Sequence, residues 1–239
     1  MKQTKSVLLL IPCFNEELSI ANLLEEIKAA CPGYQAVVIN DGSKDQTSAV
    51  VKTKENTILL DLPVNLGVGG AVQTGFKFAR MVNAEYAVKI DGDGQHSPNF
   101  IPQMIETLSE RKSDIVIGSR FLNSTGFKSS TIRRFGIYFL QKLCLVLTGR
   151  NISDPTSGFR AYNRTAIEFL ADHYPSFDYP EPEEIILASK NGLELNEIPV
   201  EMRERQKGSS TISSSGSVYY MLKVTLSMLF IFIRNREKR

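Results

Sequence analysis

Short apolar runs and longer amphipathic stretches alternate along the first half of the chain. Ser6-Val7-Leu8-Leu9-Leu10-Ile11 is continuously apolar after its first residue, the pattern of a strand buried on both faces. Ile20, Leu23, Leu24 and Ile27 follow at helical spacing. Ala36-Val37-Val38-Ile39 and Thr57-Ile58-Leu59-Leu60 predict two more strands, and a helix is predicted after Gly70. Tyr86-Ala87-Val88-Lys89-Ile90 predicts a fourth strand. Ser97-Pro98 reads as a helix start, with Ser as cap and Pro in the first turn. Ile101, Met104, Ile105 and Leu108 then mark one helical face, and Asp114-Ile115-Val116-Ile117 predicts a fifth strand. This alternation predicts an α/β domain with a mostly parallel sheet covered by helices on both faces.

The polar residues between these runs are as ordered as the runs. Pro12 to Glu16, Asn40-Asp41-Gly42-Ser43, Asn65 to Gly70, Asp91 to Gln95 and Gly118-Ser119-Arg120 each follow a predicted strand. Open α/β sheets bind ligands outside the carboxyl ends of their strands, so five such loops predict a polar ligand across that edge. Asp91-Gly92-Asp93-Gly94-Gln95-His96 puts two carboxylates on one short loop. Hard oxygen ligands of this kind suit Mg²⁺ or Mn²⁺ held together with substrate phosphates; an Asp-Gly turn is the plain alternative. Gly67-Val68-Gly69-Gly70 follows the third strand rather than the first, which excludes a dinucleotide-binding fingerprint. The expectation there is backbone N–H groups open to a diphosphate at a helix start.

Composition narrows the class only a little. With 239 residues, 42% of them hydrophobic and 23% charged, the chain is long enough for one large domain with its own core. A net charge of +2 gives no reason to expect nucleic acid as a partner. Cys13, Cys31 and Cys144 form no CxxC pair and read as buried hydrophobes. Lys2 and Lys5 precede an apolar run of only Val7 to Ile11, too short for a secretory leader.

Six stretches in order then carry a resemblance: Ile11 to Glu17, Val38 to Thr47, Asn65-Leu66-Gly67, Asp91 to His96, Gly118-Ser119-Arg120 and Thr156-Ser157-Gly158-Phe159-Arg160. Together the chain resembles the family-2 inverting glycosyltransferases of GT-A fold. Within them it is similar to the polyprenyl-phosphate branch, which includes dolichyl- and undecaprenyl-phosphate glycosyltransferases. The resemblance implies a nucleotide diphosphate sugar as donor, with a UDP-sugar favoured and GDP-mannose the other choice. Pro12, Asn15, Glu16, Asp41 and Gly67 would border the nucleotide, with Asp41 accepting hydrogen bonds from the base. Asp91 and Asp93 would be the catalytic pair, holding Mg²⁺ or Mn²⁺ and the ribose side of the donor, with Gln95 as a further metal ligand.

The acceptor is implied to be a polyprenyl phosphate, bound by guanidinium groups of Arg120, Arg133, Arg160 and Arg205, because Arg binds phosphate in bidentate fashion. Met202 to Ser210 resembles the branch's Arg-x-x-Gly-x-Ser motif, with Thr211 where many relatives carry Lys. A hydroxyl acceptor would need a general base, for which Glu183 and Glu184 are the candidates; a non-catalytic sugar-nucleotide-binding subunit is the alternative of another class. Two stretches remain. Phe135 to Leu147 reads as a core helix or a surface one. Val218 to Ile233, nearly apolar all round and followed by Arg234, Arg236, Lys238 and Arg239, is shorter than a usual bilayer span. The expected organisation is a GT-A domain over 1–211 and an apolar helix with a basic end over 212–239. That tail is expected to lie at the cytoplasmic membrane face, on a small membrane-protein partner or on a second copy of itself; a core helix of the same chain is the alternative. Lys223 and Ser227 would share its narrow polar stripe.

Overall fold

In the computed structural model, residues 6–122, 131–203 and 216–234 are described, 131–133 and 216–218 by backbone alone. Among them the chain forms a seven-stranded sheet. The strands are β1 (Val7–Cys13), β2 (Gln35–Asn40), β3 (Thr57–Asp61), β4 (Tyr86–Lys89), β5 (Ile115–Ser119), β6 (Arg160–Asn163) and β7 (Leu195–Pro199), in the order β3-β2-β1-β4-β6-β5-β7. β6 runs against both neighbours, whereas the other pairs are parallel. The carboxyl ends of β1 to β5 therefore share one edge, as the polar loops require.

The centre of the sheet is dry on both sides. All seven residues of β1 are buried. Leu8 and Leu10 pack into one cluster with Val72 and Phe76, while Leu9 and Ile11 pack into the other with Ile20 and Met104. Helices α3 (Gly67–Met81), α5 (Thr131–Thr148), α6 (Arg164–His173) and α7 (Glu181–Lys190) cover the first face. Helices α1 (Ile20–Ala30), α2 (Thr47–Lys52) and α4 (Ile101–Glu110) cover the second. Emptying one such position, as in Leu10→Ala, costs about 2–5 kcal/mol against a total stability of about 5–15 kcal/mol.

Local sequence explains several boundaries and corrects others. Asn163 caps α6, its Oδ1 accepting from Ala166 N at 2.9 Å. Ser97 does not cap a helix: a single 3-10 turn, Pro98–Phe100, precedes α4, and the Ser97 hydroxyl faces Arg203 at 3.3 Å. α3 starts at Gly67 rather than after Gly70, because Asn65 Oδ1 accepts from Gly67 N at 3.0 Å and Gly67 takes φ +79°. β4 and β6 place Lys89 directly opposite Arg160, and both side chains are fully buried.

The terminal helix α8 (Gly216–Arg234) is two-faced. Val224 and Met228 are buried against the α7 side of the sheet, and Gly136 of α5 lets Met221 approach closely. Its opposite face exposes Leu222, Leu226, Phe230 and Ile233, and α5 adds exposed Phe135, Tyr138, Phe139 and Val146. The polar stripe turns inward: Lys223 Nζ lies 2.8 Å from Asp178 Oδ2, and Ser227 hydrogen-bonds Glu183. Among the described residues no helix is long and apolar enough to cross a membrane.

Glu183 makes the α7–α8 seam sensitive to pH. Burial pushes its carboxyl up to about 7, opposed by Ser227 and Lys223, and one of its oxygens has no hydrogen-bond partner. An unfolded glutamate titrates near 4.5. The folded state therefore holds the proton more tightly, and stability present below that value is lost as pH rises through about 7. Urea midpoints at pH 5 and pH 8 should show the wild type losing about 1–3 kcal/mol more than Glu183→Gln over that interval.

Candidate active site

The loops that leave β1 and β2 are stitched together. Asn15, at φ +57°, donates from its N–H to Ser43 Oγ at 2.9 Å and accepts on Oδ1 from Lys44 N at 2.9 Å. Glu16 N donates to Thr47 Oγ1, Glu17 N to Asp45 Oδ2, and Gln46 N to Glu17 Oε2. Asn15 and Glu16 thus shape the rim rather than line the cavity behind it, and the Glu16 carboxylate accepts from Ser19 Oγ at 2.7 Å. Deeper in, Asp41 is buried, and its Oδ1 accepts from Leu66 N at 2.7 Å. Burial pushes its carboxyl above the ordinary value, against the Leu66 and Gly67 N–H groups.

A cavity of about 220 Å³ opens here, lined by Pro12, Cys13, Phe14, Asp41, Asn65, Gly67, Val68, Ala71, Asp178 and Tyr179. Three of the expected nucleotide residues, Pro12, Asp41 and Gly67, meet in it. Its far wall, Asp178 and Tyr179, comes from the α6–α7 connection and has no signal in the sequence pattern. The same connection corrects the expectation for Gly67 to Gly70. Gly69 N donates to Phe177 O at 2.8 Å, and a Cβ at Gly69 would stand 1.7 Å from Ser176 O. A Cβ at Gly67 would stand 2.7 Å from Phe177 O. Gly67 and Gly69 admit the chain's own backbone, and their N–H groups donate to Asn65 Oδ1 and Phe177 O.

The Asp91 loop sits beside this cavity. A Cβ at Gly92 would lie 2.5 Å from Cys13 Sγ, so the loop presses on the end of β1. Asp93 Oδ1 accepts from Gln95 N at 3.0 Å, which tightens the turn at Gly94. Gln95 is tied to the segment after β7: Arg203 N donates to Gln95 O at 2.9 Å, and Gln95 Nε2 reaches Arg203 O at 3.3 Å. His96 is buried behind Asp91, stacked on Phe159 at 5.0 Å, with Nδ1 3.4 Å from Asp91 N. Burial lowers its pKa, opposed by Asp91 and Asp93, so the imidazole is neutral at pH 7. Among the described residues no three His, Cys, Asp or Glu side chains gather as a cage. Two carboxylates and an amide oxygen are nevertheless a hard-donor set that fits Mg²⁺ or Mn²⁺, leaving coordination positions for diphosphate oxygens and water.

Beneath the loop lies a layer of buried charge. Lys89 Nζ pairs with Glu181 Oε1 at 2.6 Å. Arg160 Nη1 lies 3.0 Å from Glu184 Oε1, while its Nε and Nη2 donate to the carbonyls of Ser157, Pro155 and Glu181. The Tyr162 hydroxyl donates to Glu184 at 3.1 Å. Arg160 was expected on a phosphate; the structure instead closes its guanidinium among these acceptors. Arg120 is corrected likewise. Its Nε and Nη2 engage Asp154 at 2.6 and 2.7 Å, and Nη2 also reaches Thr156 at 2.7 Å. Glu184 is buried between Arg160 and Tyr162, although Arg160 Nη1 lacks hydrogen-bond geometry to it, and Glu183 is buried toward α8, so neither expected base opens toward the Asp91 loop. Arg205 and the side chain of Arg133 lie outside the described residues.

The profile described as Glycosyl transferase family 2 matches residues 8–170. The UDP-N-acetylglucosamine--dolichyl-phosphate N-acetylglucosaminyltransferase of Methanococcus voltae is 32% identical, over 82% of this chain and 85% of that protein. A dolichyl-phosphate beta-glucosyltransferase of Trichomonas vaginalis is 30% identical, over 95% of this chain and 73% of that protein. In fold, glucosyl-3-phosphoglycerate synthase from Mycobacterium tuberculosis, solved with Mn²⁺, UDP-glucose and phosphoglyceric acid, superposes with a TM-score of 0.73. That alignment has 16% identity and covers 96% of this chain and 80% of that one.

The buried layer predicts what Arg160 does. Arg160→Ala leaves Glu184 buried without its cation, and such losses cost about 3–5 kcal/mol. Thermal melts should show that variant strongly destabilised, with Arg160→Lys only partly restoring it because one ammonium cannot meet four acceptors in a plane.

Proposed function

The chain belongs to glycosyl transferase family 2, and from that premise we propose that it transfers a hexosyl or N-acetylhexosaminyl unit from a nucleotide diphosphate sugar to a polyprenyl phosphate. The observation that carries the reading is the placement of two features at one sheet edge: a cavity lined by Asp41 after β2 and, across β1, the Asp91–Asp93 pair after β4. The relative that is 32% identical is named for this class of donor and acceptor, and its UDP-sugar favours uracil as the base here.

In this reading the nucleoside enters the cavity, where Asp41 offers a carboxylate oxygen to an N–H of the base and Phe14 and Tyr179 supply ring surface. Asp91 and Asp93, with the Gln95 amide, would hold a divalent ion, and its chemistry when bound would be to offset charge developing on the departing diphosphate. The acceptor oxygen needs no base: a phosphate monoester with a second pKa near ~6 is largely ionised at neutral pH. It attacks the anomeric carbon from the side opposite the leaving group, which inverts that centre. Binding of the acceptor phosphate falls to Arg133 and Arg205, since Arg120 and Arg160 are engaged inside the fold. The exposed apolar faces of α5 and α8 suit peripheral attachment at the cytoplasmic membrane surface, next to the lipid.

Three measurements test this. UDP- and GDP-sugars assayed with a polyprenyl phosphate should give a product labile to mild acid; transfer only to free sugar would overturn the acceptor. Asp93→Ala should lose at least ~10²-fold in rate, the scale for one lost charge-stabilising group, with an unchanged melting temperature. Leu226→Asp with Phe230→Asp should abolish flotation with anionic liposomes while preserving sugar-nucleotide binding; unchanged flotation would put the anchor elsewhere.

A further inference from the structure

The cavity is lined on one side by the end of β1, the loops after β1, β2 and β3 and the start of α3, and its other wall is held from behind. Asp178 and Tyr179 close it, and Tyr179 does so at φ +53°. A bulky side chain takes that left-handed conformation only where its surroundings impose it. Ser176 shapes the turn itself, its hydroxyl donating to Asp178 O at 2.8 Å. The side chains are anchored by α8. The Tyr220 ring meets Tyr179 edge-on, with centroids 4.8 Å apart at 87°. Lys223 Nζ lies 2.8 Å from Asp178 Oδ2 and 6.0 Å from the centre of the Tyr179 ring. Neither Tyr220 nor Lys223 lines the cavity. Lys223 is also the one charge within the run from Val218 to Ile233, and it points at the loop rather than at solvent.

We propose that Tyr220 and Lys223 are positioning residues for the donor: they hold Tyr179 and Asp178 as the outer wall of the cavity, so nucleotide affinity depends on how α8 is seated. This rests on the reading of the cavity as the nucleoside site. Val224, next to Lys223, and Met228, one turn beyond it, are buried and make the seating of α8 a matter of core packing as well as of surface charge. The consequence is directional. Whatever engages the exposed face of α8, at Leu222, Leu226 and Phe230, acts on the same helix that props the donor wall.

The test is binding of UDP and of GDP, each with Mg²⁺ or Mn²⁺, measured by calorimetry on the full chain. Lys223→Met keeps the aliphatic stem and should weaken UDP binding about two- to fivefold, the range of a partly exposed ion pair. Tyr220→Leu should weaken it about two- to tenfold, the range of an aromatic pair. Lys223→Arg should bind as wild type. In turnover the loss should appear in the donor KM, with kcat at saturating donor retained. Asp178→Asn, at a side chain more than half exposed, breaks the same pair without touching α8, so the test survives if an α8 variant melts early. In that background Lys223→Met should cost nothing further. Wild-type affinity in Lys223→Met and Tyr220→Leu, or full additivity with Asp178→Asn, would overturn the proposal. If the wild type itself binds neither nucleotide, the reading of the cavity fails first and the proposal goes with it.

Discussion

Two buried cations are paired across neighbouring strands in the middle of this protein. Lys89 and Arg160 are directly opposed on β4 and β6, and both are fully buried. Like charges so placed repel, and taking either from water costs several kcal/mol, so each must meet an anion. Glu181 and Glu184 supply them from the first turn of α7, three residues apart and hence on one face of the helix. The arrangement fixes three things at once. It pins the register of the antiparallel pair, because a slip would strand both cations. It fixes where α7 begins. It also places negative charge at a helix N-terminus, where the macrodipole favours it.

The chemistry stands on that layer. Asp91 follows Lys89 by two residues, and Gly158 precedes Arg160 by two. A Cβ at Gly158 would come within 3.0 Å of the Asp91 carboxylate and 3.4 Å of Lys89 Nζ. The reacting edge and the charged layer are therefore separated by little more than a glycine. The start of α7 that neutralises the cations also carries, through Pro180, the Asp178–Tyr179 wall of the cavity beside the Asp91 loop. One buried cluster thus supports both the carboxylate pair and that cavity.

What could be read from the sequence follows from the range of the interactions involved. β1 to β5, α1 and α4 were legible because apolar periodicity is local, and the run of loops at strand ends follows from that alternation. The motif at Thr156 to Arg160 was visible, but its antiparallel pairing was not, since four residues of β6 carry no period of their own. Arg120 and Arg160 look alike in sequence to a phosphate-binding arginine; only Asp154 and Glu184, distant along the chain, reveal that they are filled. The glycines at 67 and 69 signalled a close approach, and the backbone of residues 176 and 177 makes it. Lys223 was legible as an anomaly in an apolar run, and the direction it faces needed α7 and its preceding loop.

The position of α8 in the chain gives this architecture an order in time. A growing polypeptide folds from its amino end as it is made, and α1 to α7 emerge before the helix that seats the donor wall. Until Val224 and Met228 arrive, the α7 side of the sheet keeps an open groove, and Asp178 has no lysine to hold it. The Asp91 loop, tied to Met202 and Arg203, has all its partners in the chain before the helix that backs the cavity wall. On the proposed reading, the sugar donor is first held firmly when the apolar helix has been synthesised, so competence for the donor and for the membrane surface are acquired together.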